Sequence, residues 1–240
     1  MIEVERDGAV CVLRLRREEK LNALSTALER ELQDALSGDA VRSSSCVVVT
    51  GSGRAFSAGA DLSELAARTP EAVLAYYRDT GGVYERLASL PQPTLSAIHG
   101  YCLGGGLELA LATDFRIADE SAVFGFPEVS IGILPSSGGT YRATRLLGPA
   151  RAKELILLRS RLSAAEALEA GLVTEVVAEG AALERALELA HGLAALPRTA
   201  VSVAKQAIDA APDSSREAAL LIERLAYGLL AQTDDARGAP

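Results

Sequence analysis

Three short segments of this sequence combine glycines and carboxylates at spacings that could do chemistry. They are Ala55-Phe56-Ser57-Ala58-Gly59-Ala60-Asp61-Leu62, Gly104-Gly105-Gly106-Leu107-Glu108 and Phe124-Gly125-Phe126-Pro127-Glu128. The first two glycine-bearing turns are each predicted to lead into a helix, whose start presents unpaired backbone N–H groups at its positive end. Two such groups aimed at one point would stabilise charge developing on a carbonyl oxygen. Glu108 and Glu128 would supply the acid and the base.

The local spacing suits that joint role. If Gly105 lies in the first turn of its helix, Glu108 follows close to one full turn later, so its carboxylate and the Gly105 N–H address one pocket. Glycine, having no Cβ, also lets a ligand carbonyl approach the backbone. Pro127 fixes its own φ and restricts Phe126, so Glu128 is delivered from a stiff turn. In the company of Phe124, Phe126, Ile131 and Ile133, burial would raise its pKa toward that of an acid working near neutrality. Taken alone, Gly-Gly-Gly-x-Glu also suits a tight strand-to-helix turn, and Pro-Glu an exposed one; the three segments together point to catalysis.

The elements that must position these residues alternate strands with helices in the first half. Ala9 to Leu15 and Cys46 to Thr50 read as strands. Between them Thr26 is expected to cap a helix with Glu29 three residues on; Leu28, Leu32 and Leu36 keep helical spacing and Gly38 ends it. One helix is expected from Thr69-Pro70 to Ser89, before Pro91, with an apolar stripe of Val73, Tyr76, Tyr77, Val83, Tyr84 and Leu87. Thr94 to Ile98 reads as a strand, Gly105 to about Thr113 as a helix and Phe115 to Ala118 as a strand. After Gly138 the pattern turns helical, punctuated by Gly148-Pro149, Gly171 and Pro197, with one more strand at Leu172 to Val177. From about Ala181 a helical C-terminal segment follows, and no repeat or low-complexity tract is present.

Bulk properties bound the reading. The chain has 240 residues, 49% apolar and 23% charged, enough for one large domain or one domain with a helical extension. No apolar run approaches the ~18 residues of a membrane span. Met1 to Arg6 lacks the basic and apolar regions of a signal peptide, so a cytoplasmic protein is expected. Cys11, Cys46 and Cys102 are widely spaced in apolar surroundings, as reduced core residues would be. The net charge of −8 argues against a nucleic-acid surface. Arg16, Arg17 and Lys20 could still hold phosphates locally, or form a solvated basic loop.

The motifs, in their order and intervals, resemble the enoyl-CoA hydratase/isomerase family, the crotonases. The similar stretches are Leu21 to Leu24 (Leu-Asn-Ala-Leu), Ala55 to Leu62, His99 to Ala110, Asp114, Phe124 to Glu128, Gly132 to Pro135 and Gly138-Gly139-Thr140. The resemblance runs from about residue 4 to 235. It implies an α/β crotonase-like spiral of ββα units with a helical C-terminal region, divided as a catalytic core over 1–180 and a trimerisation region over 181–240. By the same resemblance the Ala60 and Gly105 N–H groups form an oxyanion hole. Lys20, Ala58, Asp61 and Leu62 line the coenzyme A site, and Ile133 and Leu134 face the acyl pocket. It implies no metal or redox cofactor, an acyl-CoA thioester as partner, and a homotrimer or hexamer.

Within that family the retained pair Glu108 and Glu128 implies a hydratase, with Glu108 activating water and Glu128 donating the proton. Δ3,Δ2-isomerase or other enolate chemistry, and a non-catalytic acyl-CoA binder, are the alternatives. RNA binding, known for some relatives, is disfavoured by the acidic balance. His99 and His191 read as structural. Family members usually run past the segment similar to Ala231 to Asp235 into a basic, proline-containing tail, whereas this sequence ends Arg237-Gly238-Ala239-Pro240, which bears on CoA phosphate contacts, pocket closure and the oligomer.

Overall fold

A computed structural model describes residues 1–65, 69–79 and 82–238. Ten strands run through it: β1 Ile2–Asp7, β2 Val10–Leu15, β3 Cys46–Gly51, β4 Ala55–Ser57, β5 Thr94–Ile98, β6 Tyr101–Leu103, β7 Phe115–Asp119, β8 Val123–Gly125, β9 Leu162–Ser163 and β10 Glu175–Val177. The helices are α1 Thr26–Ser37, α2 Asp39–Arg42, α3 Leu62–Leu65, α4 Pro70–Asp79, α5 Val83–Ala88, α6 Gly105–Leu111, α7 Gly139–Leu157, α8 Ala164–Glu169, α9 Ala182–Ala194, α10 Arg198–Ala210, α11 Arg216–Leu230 and α12 Asp234–Arg237.

The strands form two sheets with a shared logic. The larger has the order β1-β2-β3-β5-β7-β10, and the smaller β4-β6-β8-β9. Consecutive strands β3/β4, β5/β6 and β7/β8 each put one member in each sheet, and a helical segment follows each pair, which is the expected ββα repeat. Only the β1–β2 and β8–β9 pairs are antiparallel.

Strand alternation explains how the large sheet is covered on both faces. Cys11, Leu13, Leu15, Val47 and Val49 point into one core cluster, which α1 and α5 close with Leu28, Leu32, Leu36, Val83 and Leu87. Val10, Val12, Cys46, Val48, Leu95, Ala97 and Ile117 point the other way, against Ala182, Ala186 and Ala190 of α9. Alanines four residues apart let that helix lie close on the sheet. The three cysteines are buried and free.

The structure corrects four readings. The cap of α1 is Ser25, whose Oγ accepts from Leu28 N–H at 3.2 Å. Thr26 is instead the first helical residue, and Glu29 turns into the interior to accept hydrogen bonds from the Tyr76 and Tyr84 hydroxyls. The helix expected over 69–89 is two, α4 and α5, separated near the Gly81-Gly82 pair; residues 80 and 81 lie outside the described residues. The strand expected over 172–177 is paired only over Glu175–Val177. Leu172 and Val173 are core residues of the preceding turn, where the Leu172 carbonyl accepts from Arg116. Strand β1 was not foreseen, because its half-exposed run of charged residues carries little apolar alternation.

Gly148 and Pro149 interrupt α7 as expected of such punctuation, with Gly148 at φ 77° and ψ 162°. Among the described residues no helix is long and apolar enough to cross a membrane.

Candidate active site

The three motif segments meet because they leave the same edge of the small sheet. Strands β4, β6 and β8 are parallel neighbours, and their carboxyl ends run into Gly59-Ala60, Gly104-Gly105 and Pro127-Glu128. The carboxyl edge of parallel strands is where loops converge to make a ligand site. A hydrogen bond of 2.9 Å from Gly104 N–H to the Gly125 carbonyl ties the second segment to the third.

The two glycine turns face one another. Gly59 and Gly104 have φ of +99° and +52°, conformations that side chains rarely adopt. A methyl group at Gly59 would lie 2.8 Å from the Leu103 carbonyl oxygen, so the close approach itself requires glycine. A methyl at Gly105 would lie 3.5 Å from the Ala60 nitrogen and 3.6 Å from the Tyr84 hydroxyl. The neighbours of Ala60 are pinned to Leu24, through Leu24 N–H to Gly59 O at 2.8 Å and Asp61 N–H to Leu24 O at 2.9 Å. The Ala60 and Gly105 N–H groups themselves donate to no acceptor among the described residues. Two rigid, adjacent donors at an exposed residue and a helix start form an oxyanion-hole geometry.

Glu108, on α6, is 4% exposed. Its Oε1 accepts from Ser137 N–H at 2.7 Å and Gly139 N–H at 2.8 Å, so it caps the start of α7, where Gly138 has no side chain to do so. Oε2 takes no hydrogen bond among the described residues, and a water can meet it. Burial raises the Glu108 pKa, while the Gly139 and Ser137 N–H groups and the Arg142 charge pull it back.

Glu128 is 9% exposed and differently provided. Its Oε2 is buried with no hydrogen-bond partner among the described residues. Burial pushes its pKa up to about 7, with its own backbone N–H opposing and the Glu108 charge adding to the rise. The pair thus has divergent surroundings: burial raises both carboxyl groups, but at Glu108 two backbone donors and Arg142 oppose the rise, while Glu128 is the more inclined to keep its proton.

A stability consequence follows from Glu128. Its folded pKa of about 7 lies above the ordinary 4.5, so its contribution to stability is fully present below about pH 4.5 and is lost as pH rises through about 7. Glu128→Gln, which cannot ionise, is expected to be more stable than the natural protein by ~3 kcal/mol at pH 8 and nearly equal to it at pH 5. Thermal melts of both proteins at the two pH values check this; a difference independent of pH would sink it.

The remaining site residues are placed as follows. Lys20 is exposed in the turn after β2 and makes no ion pair among the described residues. Arg17 and Arg16 are committed to Asp61 at 2.7 Å and Glu3 at 3.0 Å. The Asp61 carboxylate also accepts from Ser63, and Ser63 and Arg17 together hold its pKa down to about 2. Ala58 is half-buried, with its N–H on the Leu21 carbonyl at 2.9 Å, and Leu62 is 61% exposed at the start of α3. Ile133 and Leu134 are exposed on the loop after Glu128, where Ile133 N–H donates to the Glu128 carbonyl at 3.3 Å. His99 and His191 contact the Gly53 carbonyl and Asp7, away from the two glutamates.

Sequence reasoning missed Ser137, Arg142 and the hydrogen bonds that the half-buried Tyr76 and the buried Tyr84 give to buried Glu29. Gly138-Gly139-Thr140 was singled out by resemblance alone, and no local pattern ties a backbone N–H at 137 to a carboxylate at 108.

Comparison with known proteins gives concordant results. A model of the family described as enoyl-CoA hydratase/isomerase matches residues 5–239. The chain is 40% identical over 233 residues to "Probable enoyl-CoA hydratase" of Rhizobium meliloti (strain 1021), covering 97% of this chain and 90% of the relative. It is 39% identical over 233 residues to 2,3-dehydroadipyl-CoA hydratase of Escherichia coli (strain K12), covering 97% and 91%. A solved structure of an enoyl-CoA hydratase from Bacillus anthracis superposes with a TM-score of 0.92 at 41% identity, covering 98% of this chain and 92% of that one.

Proposed function

The chain belongs to the enoyl-CoA hydratase/isomerase family, and we propose that within it the protein is a hydratase, adding water syn across the double bond of a trans-2-enoyl-CoA. The observation that carries this reading is the pair of buried carboxyl groups, differently hydrogen-bonded, beside two backbone donors that meet no acceptor among the described residues, on one sheet edge. The thioester oxygen accepts from the Ala60 and Gly105 N–H groups, which stabilise the enolate. Glu108 takes a proton from water through Oε2 as the water oxygen bonds to C3. Glu128 gives its proton to C2, and the proton on Glu108 is later returned to Glu128 through solvent. Coenzyme A is part of the substrate.

Lys20, Ala58, Asp61 and Leu62 are assigned to the coenzyme A approach, with Asp61 acting through the turn that it braces with Arg17, and Ile133 and Leu134 to the acyl pocket. The assembly is read as a homotrimer or a pair of trimers. Leu221, Leu225 and Leu229, exposed at four-residue intervals on one face of α11, support it. Buried free cysteines suit a reducing cytoplasm.

Crotonyl-CoA hydration, followed as loss of the conjugated enoyl-thioester absorbance, tests the reaction beside a 3-enoyl-CoA. Turnover of the 2-enoyl compound with none of the 3-enoyl is expected. Conversion of the 3-enoyl compound alone would overturn the hydratase reading in favour of an isomerase, and binding without turnover of either would leave only an acyl-CoA binder.

A further inference from the structure

Arg142 lies one turn into α7, and its side chain is only 11% exposed despite a permanent charge. Nη1 donates to the Ser137 carbonyl at 3.0 Å, and Nη2 pairs with Glu85 of α5. The guanidinium lies across Gly138, where a methyl group would come 2.1 Å from Nη1; glycine at φ +97° leaves the room for it. Ser137 is therefore gripped at both ends, by Arg142 at its carbonyl and by Glu108 at its N–H.

We propose that Arg142 is a positioning residue for the water-activating carboxylate: it braces the first turn of α7 so that Glu108 keeps Oε1 on the backbone and Oε2 toward the water. The inference rests on the hydratase reading for its kinetic consequence alone. Breaking the brace frees the Ser136 to Gly138 segment, and with it the Ser137 donor that sets the Glu108 orientation. A carboxylate off its line of attack costs rate with little effect on binding, and a misplacement of about 1 Å can cost ~10²-fold.

Electrostatics gives a second signature. The groups facing Glu108 are Arg142 from α7, Glu128 from the turn after β8, and Tyr84 from α5, whose burial and neighbouring carboxylates keep it neutral. Arg142 is the one cation among them, and it lowers the Glu108 pKa. Its removal raises that pKa, so the acidic limb of the pH–rate profile moves to higher pH.

The test uses Arg142→Met and Arg142→Lys in the full chain. The carboxyl titration of Glu108 is followed by carbon-13 NMR of the free protein, with the resonance assigned through its loss in Glu108→Gln, beside kcat and KM for crotonyl-CoA. Arg142→Met is expected to titrate at higher pH and to lose ~10²-fold in kcat with KM nearly unchanged. Arg142→Lys, which keeps the charge but not the two-armed grip, should keep the titration near its natural position and recover part of kcat. Equal losses in both variants without movement of the Glu108 titration would make Arg142 merely structural and overturn the inference. If Arg142→Met does not fold, Arg142→Lys decides: an unchanged kcat overturns the proposal. Should the natural protein turn over no enoyl-CoA, the hydratase reading fails, while the NMR shift still judges the positioning role.

Discussion

Glu108→Gln and Glu128→Gln are each expected to lower kcat for enoyl-CoA hydration by ~10²–10⁴-fold, with KM changed far less. Both substitutions keep shape. In Glu108→Gln the amide oxygen can still accept from Ser137 and Gly139 N–H, so the cap of α7 survives while the base is lost. In Glu128→Gln the proton proposed for C2 is lost, and no hydrogen bond goes with Oε2, which has no partner among the described residues. Steady-state kinetics beside thermal melts separates the roles. Loss of turnover in folded variants supports two-carboxyl chemistry, whereas a folded variant within tenfold of the natural rate removes that carboxyl from the mechanism. The two losses should not multiply in the double variant, since either alone interrupts the same proton traffic.

Ala60→Pro is expected to cost ~10²–10³-fold in kcat, the scale of one oxyanion donor. Proline removes the N–H and adds only a ring at an exposed position. No structural hydrogen bond is lost, because the Ala60 N–H serves none among the described residues; the bonds to Leu24 come from Gly59 and Asp61. Ala60→Ser keeps the N–H and is expected to stay within a few-fold of the natural rate. Gly105 offers no equally clean variant, because it is buried and a side chain there would press on Leu24 and Ala60. Comparable rates for Ala60→Pro and Ala60→Ser in folded protein would show that the Ala60 N–H does not touch the developing charge.

Much of the site was legible because it is local. The glycine-bearing turns signalled close approach to the backbone, and Gly105 to Glu108 is close to one helical turn wherever the helix sits. Proline before Glu128 signalled a stiff delivery, and Phe124 and Phe126 are buried as expected, whereas Ile131 and Ile133, expected to help bury Glu128, are exposed on the loop that follows it. The β-branched run at Val47 to Thr50 gave a strand buried on both faces. Local signals also misled where tertiary contacts took precedence. Thr26 with Glu29 satisfied the capping pattern, yet Ser25 caps α1, because Glu29 finds two tyrosine hydroxyls in the interior. Arg17, read as either a local phosphate holder or part of a solvated basic loop, is instead paired with Asp61, distant in sequence.

The sequence by itself determined the chemistry carried at each turn: which backbone could present a free N–H, and which glutamates stood near it. Only the tertiary structure decided that the turns form one site. Strands β4, β6 and β8 had to become parallel neighbours for Ala60, Gly105 and Glu128 to leave one edge together, and interstrand hydrogen bonds of that kind have no signature within a single strand. Likewise the different surroundings of two chemically identical carboxyl groups come from burial and from donors at the start of α7, set by residues far away along the chain.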